Sequence, residues 1–150
     1  MKARSRQVAA PRELRACLSQ LLGDEVKDVR VVEHSWFAWA HAGAHATTRR
    51  RCIYLRGSAA EFFDDHELVL HEYFHVLRQW ETRELSVWRY LVESFRRGYW
   101  DNRFEIEARE FATDNLFRFR ALLSRQNAAE SAQNGFAAVQ PPGDPGQHDA

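Results

Sequence analysis

The apolar residues of the chain recur with helical or strand-like spacing in separate segments. An N-terminal helix is predicted between Pro11, which suits a first helical turn, and Gly23, which commonly ends a helix. Its apolar stripe recurs every three or four positions: Leu14, Cys17, Leu18, Leu21 and Leu22. A β-branched run predicts a strand over residues 26–33, and alternating side chains predict a second strand over residues 47–55.

Three further helices are predicted after the strands, over residues 65–80, 84–97 and 102–125. Asp64 is the predicted cap of the first of them, with Glu67 completing a capping box. An N-terminal helix, a small sheet and three helices indicate an α+β domain. The sheet has too few strands for a doubly wound fold.

The two ends of the chain lack these patterns. Residues 1–10 are basic and predict a flexible arm, whereas residues 127–150 lack a periodic apolar face and end in Pro and Gly. We therefore expect a disordered tail over residues 127–150 and a folded domain over residues 11–126.

The composition argues against some kinds of binding partner and favours one cellular compartment. The 21 basic and 21 acidic residues give a net charge of zero, which argues against broad binding to nucleic acid or to an anionic membrane. There is no run of 18 apolar residues and no apolar stretch typical of a secretory signal. With only Cys17 and Cys52, the sequence predicts a cytoplasmic protein with reduced thiols.

One motif carries metal chemistry. His71, Glu72 and His75 form an H-E-x-x-H pattern within the predicted helix over residues 65–80. Residues four apart lie on the same helix face, so both imidazoles can reach one Zn²⁺ ion at about 2.0–2.1 Å. Glu72 can then take a proton from the attacking water and pass it to the leaving amine.

The helix that carries the motif is apolar on nearly every other side, which predicts that it is buried. Histidine and glutamate side chains are costly to bury unless they are paired or bind a metal. A second interpretation stays open, in which His71 and His75 are ordinary helix histidines satisfied by their neighbours.

A third zinc ligand is expected from the last predicted helix. Glu105 lies on the same stripe as Ala108 and Ala112, which predicts an inward position, whereas Glu107 lies on a charged face. Glu105 is therefore the favoured ligand. The alternative is that Glu105 caps its own helix, because Asn102-x-x-Glu105 also fits a capping box.

The segments HEYFHVLRQW and, about 30 residues later, EIEA resemble the gluzincin class of zinc metallopeptidases. The similarity is greatest to short bacterial metallopeptidase domains, including those of the contractile-injection-system core type. It spans roughly residues 47–112 and implies a minimal zincin-like domain that hydrolyses peptide bonds. By this resemblance His71, His75 and Glu105 are zinc ligands and Glu72 is the general base. The strand over residues 47–55 resembles the edge strand along which gluzincins bind an extended peptide.

One position departs from the resemblance. Many gluzincins have Asp four residues after the ligand glutamate, where it buttresses a zinc-binding histidine, but this chain has Arg109. Arg109 could instead pair with Glu105 and hold it away from the metal. Four acidic residues remain candidates to support a zinc-binding histidine in place of that Asp: Asp64, Asp65, Asp101 and Glu110.

Tyr99 is the candidate group for steadying the oxyanion, as the resemblance implies, with simple packing beside Trp100 as the alternative. The expected partner is a peptide or protein substrate. A regulatory protein is the second candidate partner, because a cytoplasmic protease needs restraint. The departure at Arg109 supports a second hypothesis, a catalytically weak or inactive zincin-fold interaction module. A third hypothesis, nucleic-acid binding, is supported only by the arginine clusters and is the least favoured of the three.

Overall fold

The structure is a computed structural model that describes residues 5–36, 38, 46–49, 51–80 and 102–137 of the chain. Within these residues a small sheet packs with several helices, so the predicted α+β class is confirmed. The predicted helix over residues 84–97, Tyr99 and Asp101 lie outside the described residues.

Four short strands form the sheet in the order β1-β2-β4-β3. Strand β1 (Arg6–Val8) pairs antiparallel with β2 (Arg30–Glu33), which runs parallel to β4 (Cys52–Leu55). Strand β4 also pairs antiparallel with β3 (Ala46–Arg49). Within the described part of the chain, β1 and β3 are therefore the two edge strands.

The segment predicted as one strand over residues 47–55 contains two strands that pair with each other. Strands β3 and β4 are separated in the chain by two residues, the second of which, Arg51, has a φ of 55°, in the left-handed region. The prediction was wrong because no Gly or Pro marks this break in the sequence. The first predicted strand is also shorter than expected, because Asp24–Asp28 forms a 3₁₀ helix and β2 begins at Arg30.

Helix α1 ends as predicted at Gly23, whose φ of 96° favours glycine. The predicted helix over residues 65–80 is observed as an α-helix that continues directly into a π-helix. The helices are α1 (Arg12–Leu22), α2 (Ala59–Asp64), α3 (His66–Phe74), the π-helix (His75–Trp80) and α4 (Arg103–Ala137).

Helix α2 was not predicted, although its capping box is visible in the sequence. The Ser58 hydroxyl accepts from the N–H of Glu61, and the Glu61 carboxylate accepts from the N–H of Ser58. Helix α3 is capped by Asp65, whose Oδ1 accepts from the N–H of Leu68 at 3.0 Å. The predicted cap at Asp64 was therefore wrong by one residue.

Both ends of the described chain are more ordered than the sequence patterns indicated. Residues 6–8 of the expected flexible arm form β1, because they pair with a distant strand that local patterns do not reveal. Helix α4 continues to Ala137, well into the segment expected to be disordered. Most described side chains after residue 123 are exposed, which explains why this part of the helix has no apolar face.

The core lies where α1 and α3 pack against α4 and against one face of the sheet. Both cysteines are buried and free within it. Its fully buried side chains come from every layer, including Leu18, Val31, Ile53, Leu70 and Phe119.

A buried carboxylate joins the edge of the sheet to α2. Glu33 Oε1 accepts from Nε of Arg6 at 2.9 Å, and Oε2 accepts from the N–H of Ala59 at 2.9 Å. The Ala59 hydrogen bond, together with Arg6, lowers the pKa of Glu33 despite the opposing effect of desolvation. Glu33 therefore fastens β1 and α2 to β2 in its ionised form.

We expect Glu33→Gln to lower the melting temperature at pH 7. Because the pKa of Glu33 is lowered by folding, its contribution is complete above the ordinary glutamate pKa of about 4.3. The contribution is lost as the pH falls through the lower value of the folded protein. Thermal unfolding from pH 7 to pH 2.5 should therefore show the variant and the wild type converging at low pH. The exposed Glu25→Gln is the control, and an equal gap at every pH would contradict this account.

Candidate metal centre

The helix that carries the H-E-x-x-H motif is held in the core. Val69, Leu70 and Tyr73 are fully buried on α3, and the Asp65 cap fixes where the helix begins. His71 and Glu72 lie in the last turn of α3, and His75 is the first residue of the π-helix. π-Helical turns are uncommon and often accompany functional sites.

Helix α4 supplies the third side chain. Glu105 lies in its first turn, on the same buried stripe as Ala108 and Ala112. These two small residues allow α4 to approach α3 closely, and Phe111 of α4 stacks on Phe74 of α3 at 4.7 Å. The prediction that Glu105 points inward is confirmed.

His71, His75 and Glu105 form a compact group, in which one ligand atom from each residue lies within 4.8 Å of the others. The two Nε2 atoms are 3.0 Å apart. Oε2 of Glu105 lies 3.3 Å from Nε2 of His71, and Oε1 of Glu105 lies 3.6 Å from Nε2 of His75. Within the described residues, this is the one group of three or more His, Cys, Asp or Glu side chains spaced to bind a metal ion.

These separations fit a zinc ion. A tetrahedral ion at about 2.0–2.1 Å from each donor separates neighbouring donors by about 3.3 Å. Two imidazole nitrogens and one carboxylate oxygen are also a donor set found in catalytic zinc sites, which keep a fourth position open. The His71 side chain is 15% exposed, compared with 6% for His75, so the group is most accessible from the His71 side.

The charges of the group favour an ionised Glu105. Burial opposes ionisation, but the adjacent imidazoles of His71 and His75 outweigh it and hold the pKa of Glu105 well below its usual range. Burial likewise disfavours a charged His75, but contact with Glu105 and the charge of Glu72 raise the pKa of His75. The site therefore holds Glu105 as a carboxylate and stabilises positive charge on the neighbouring His75.

Glu72 is buried beside this group and differs from Glu105 in its electrostatics. Desolvation raises the pKa of Glu72, and the positive charges of His75 and His71 only partly offset it. A buried carboxyl with a raised pKa is suited to proton transfer near neutral pH.

Gln79 is the site residue to which the sequence patterns assigned no role. Its Oε1 lies 2.6 Å from Nδ1 of His75, and its Nε2 donates to the carbonyl of Phe104 at 3.0 Å. The signal in the sequence was its position, four residues after His75 on the polar stripe of a buried helix.

The three described candidate acids do not take this place beside His75 in the structure. Asp65 caps α3, Asp64 and Glu110 are exposed, and Asp101 lies outside the described residues. Arg109 donates from Nε to the carbonyl of Glu105, one turn earlier in α4, at 3.3 Å. Glu107 is half-buried and accepts from Nε2 of Gln79 at 3.3 Å.

A family model described as the eCIS core domain matches residues 9–83, which is half of the chain. The chain belongs to the eCIS core domain family. The resemblance to domains of the contractile-injection-system core type is thereby confirmed. As a member of the extracellular contractile injection system core family, the protein is expected to belong to a multi-protein system. No curated protein and no solved structure matches the chain.

The matched segment of the eCIS core domain differs from the expected span of residues 47–112. It begins before α1, contains His71, Glu72 and His75, and ends before Glu105. The place of Glu105 at the site therefore rests on the geometry of α4 alone. Among the described helices, none is both long enough and apolar enough to cross a membrane.

Proposed function

We propose that this eCIS core domain is a zinc-dependent peptidase of the gluzincin type on a minimal zincin-like fold. His71, His75 and Glu105 are its metal ligands. The observation that carries the proposal is the close grouping of their donors. The two imidazole Nε2 atoms are 3.0 Å apart, and each faces one oxygen of the Glu105 carboxylate, at 3.3 and 3.6 Å, which suits a single bound ion. When bound, zinc supplies a Lewis acid that polarises the peptide carbonyl and makes an attacking water nucleophilic at neutral pH.

Glu72 is the proposed general base. Its carboxylate removes a proton from the water as the water oxygen bonds to the carbonyl carbon. As the C–N bond breaks, Glu72 returns the proton to the amine, so the water is divided between the two products. The raised pKa of Glu72 supports both steps, because the group must accept and release a proton near neutral pH.

Strand β3 supports an extended peptide as the substrate. Within the described residues β3 is an edge strand, and it lies beside α3 and the π-helix. An extended peptide that pairs with the backbone of β3 would therefore pass close to the motif helix, a binding mode known as β-augmentation.

A zinc-bearing interaction module without turnover is the alternative, in keeping with a family named for a multi-protein system. The presence of Arg109 in place of the acid common in gluzincins favours this alternative. The two functions differ in whether the zinc-loaded protein turns over peptide substrates.

Removal of the metal is expected to abolish peptide cleavage. The purified protein is treated with a chelator, dialysed and incubated with a peptide library, with and without one equivalent of zinc, and products are identified by mass spectrometry. We expect cleavage only in the zinc-restored sample. Cleavage that resists the chelator would contradict a zinc peptidase, and zinc binding without cleavage would favour the interaction module.

A further inference from the structure

Gln79 connects the motif helix to the helix that carries Glu105. It is 1% exposed and lies near the end of the π-helix. Its amide contacts His75 at one end and the start of α4 at the other, through the carbonyl of Phe104 and the carboxylate of Glu107. Such a side chain can influence both the orientation of His75 and its distance from Glu105.

The surroundings of Gln79 fix which way its amide faces. The carbonyl of Phe104 and the carboxylate of Glu107 can only accept hydrogen bonds, so they require the amide nitrogen on their side. The amide oxygen is then left facing Nδ1 of His75, at 2.6 Å. Because that oxygen can only accept, Nδ1 of His75 must carry a proton.

This proton position determines what the other ring nitrogen can do. A neutral imidazole that is protonated on Nδ1 has its lone pair on Nε2, which is the atom facing His71 and Glu105. A metal ion needs that lone pair, so the hydrogen bond prepares His75 as a ligand before any ion arrives.

We propose that Gln79 is a positioning residue that holds His75 in the Nδ1-protonated tautomer and keeps the motif helix in register with the first turn of α4. The functional meaning of this role rests on the proposed zinc site. The tautomer itself can be measured without any metal.

The first experiment uses the metal-free full-length protein labelled with ¹⁵N. Long-range ¹H–¹⁵N spectra at alkaline pH, where imidazoles are neutral, distinguish protonated from unprotonated ring nitrogens. The His75 signals are assigned by their disappearance in His75→Gln. We expect the Nδ1-protonated form in the wild type and a shift towards the other tautomer in Gln79→Met, which removes the acceptor at similar side-chain length.

Two variants separate positioning from general packing. Gln79→Glu keeps an acceptor oxygen beside His75, so it should restore the Nδ1-protonated form even if the protein is less stable. Gln20→Met makes the same exchange at an exposed position on α1, where the amide donates to the Ala16 carbonyl of its own helix, and should leave the spectrum unchanged.

Zinc affinity provides the second readout, by competition with a fluorescent chelator. Loss of a hydrogen-bond partner to a ligand histidine typically weakens metal binding by about 10–100-fold, and we expect a loss of this size in Gln79→Met. An unchanged His75 tautomer in Gln79→Met would overturn the inference, as would an Nε2-protonated wild type. If the tautomer shifts as expected but the wild type binds no zinc, the positioning role stands and the proposed peptidase fails.

Discussion

Glu72→Gln should bind zinc as the wild type does but lose peptide cleavage by about 10²–10⁴-fold, the usual contribution of a general base. The substitution keeps the shape of a side chain that is 6% exposed and removes only its capacity to accept and return a proton. The loss should therefore appear in kcat, with zinc stoichiometry unchanged.

The stability of the metal-free protein offers an independent check on Glu72. Burial raises its pKa, which means that the charged form is disfavoured in the fold. The neutral amide of the Glu72→Gln variant avoids this cost of burying a charge, so the metal-free variant should melt no lower than the wild type. Glu67→Gln, at an exposed position in the first turn of the same helix, is the matched control and should retain full activity.

If Glu72→Gln cleaves peptides at the wild-type rate at neutral pH, Glu72 is not the general base. Equal loss of zinc and activity would show instead that Glu72 supports the metal site. These two results are distinguishable because metal content is measured on the same samples by atomic emission.

His71→Ala and Glu105→Gln should each weaken zinc binding by more than about 100-fold. Loss of an outer hydrogen-bond partner already costs about 10–100-fold, and these residues supply donor atoms directly. The amide of the Glu105→Gln variant would still offer an oxygen, but without the negative charge that the two imidazoles stabilise. Calorimetric titration of the metal-free proteins with zinc measures each affinity.

Two neighbouring residues serve as controls for these ligand variants. His66 lies on the same helix, but its ring packs edge-on against Phe119 at 5.6 Å, so His66→Ala should bind zinc normally. Glu107 is outside the donor group and contacts it only through Gln79, so Glu107→Gln should lose less affinity than Glu105→Gln. Normal zinc binding by Glu105→Gln, with a large loss in Glu107→Gln, would reverse the assignment of the third ligand.

Local geometry made much of the candidate site predictable from the sequence. Residues 71 and 75 share a face in an α-helix, and the inward direction of Glu105 follows from the small and apolar residues spaced around it. Helix α1 and its end at Gly23 were predictable for the same reason, since the relevant signals lie within a few residues.

The remaining features depend on contacts between distant segments. Strand β1 exists because Arg6–Val8 meets β2, and no local pattern indicates that pairing. The role of Gln79 depends on the Phe104 carbonyl, 25 positions later in the chain. The break between β3 and β4 was missed because two arginines stand where turn residues are usual.

X-ray absorption at the zinc edge tests the central claim, a single zinc ion held by His71, His75 and Glu105, most directly. On the wild-type protein loaded with one equivalent of zinc, we predict nitrogen and oxygen neighbours at about 2.0–2.1 Å, with the multiple-scattering signature of two imidazoles. In His71→Ala, any zinc that is still bound should show the multiple-scattering signature of only one imidazole. Failure to take up zinc, or sulfur neighbours at about 2.3 Å, would contradict the account.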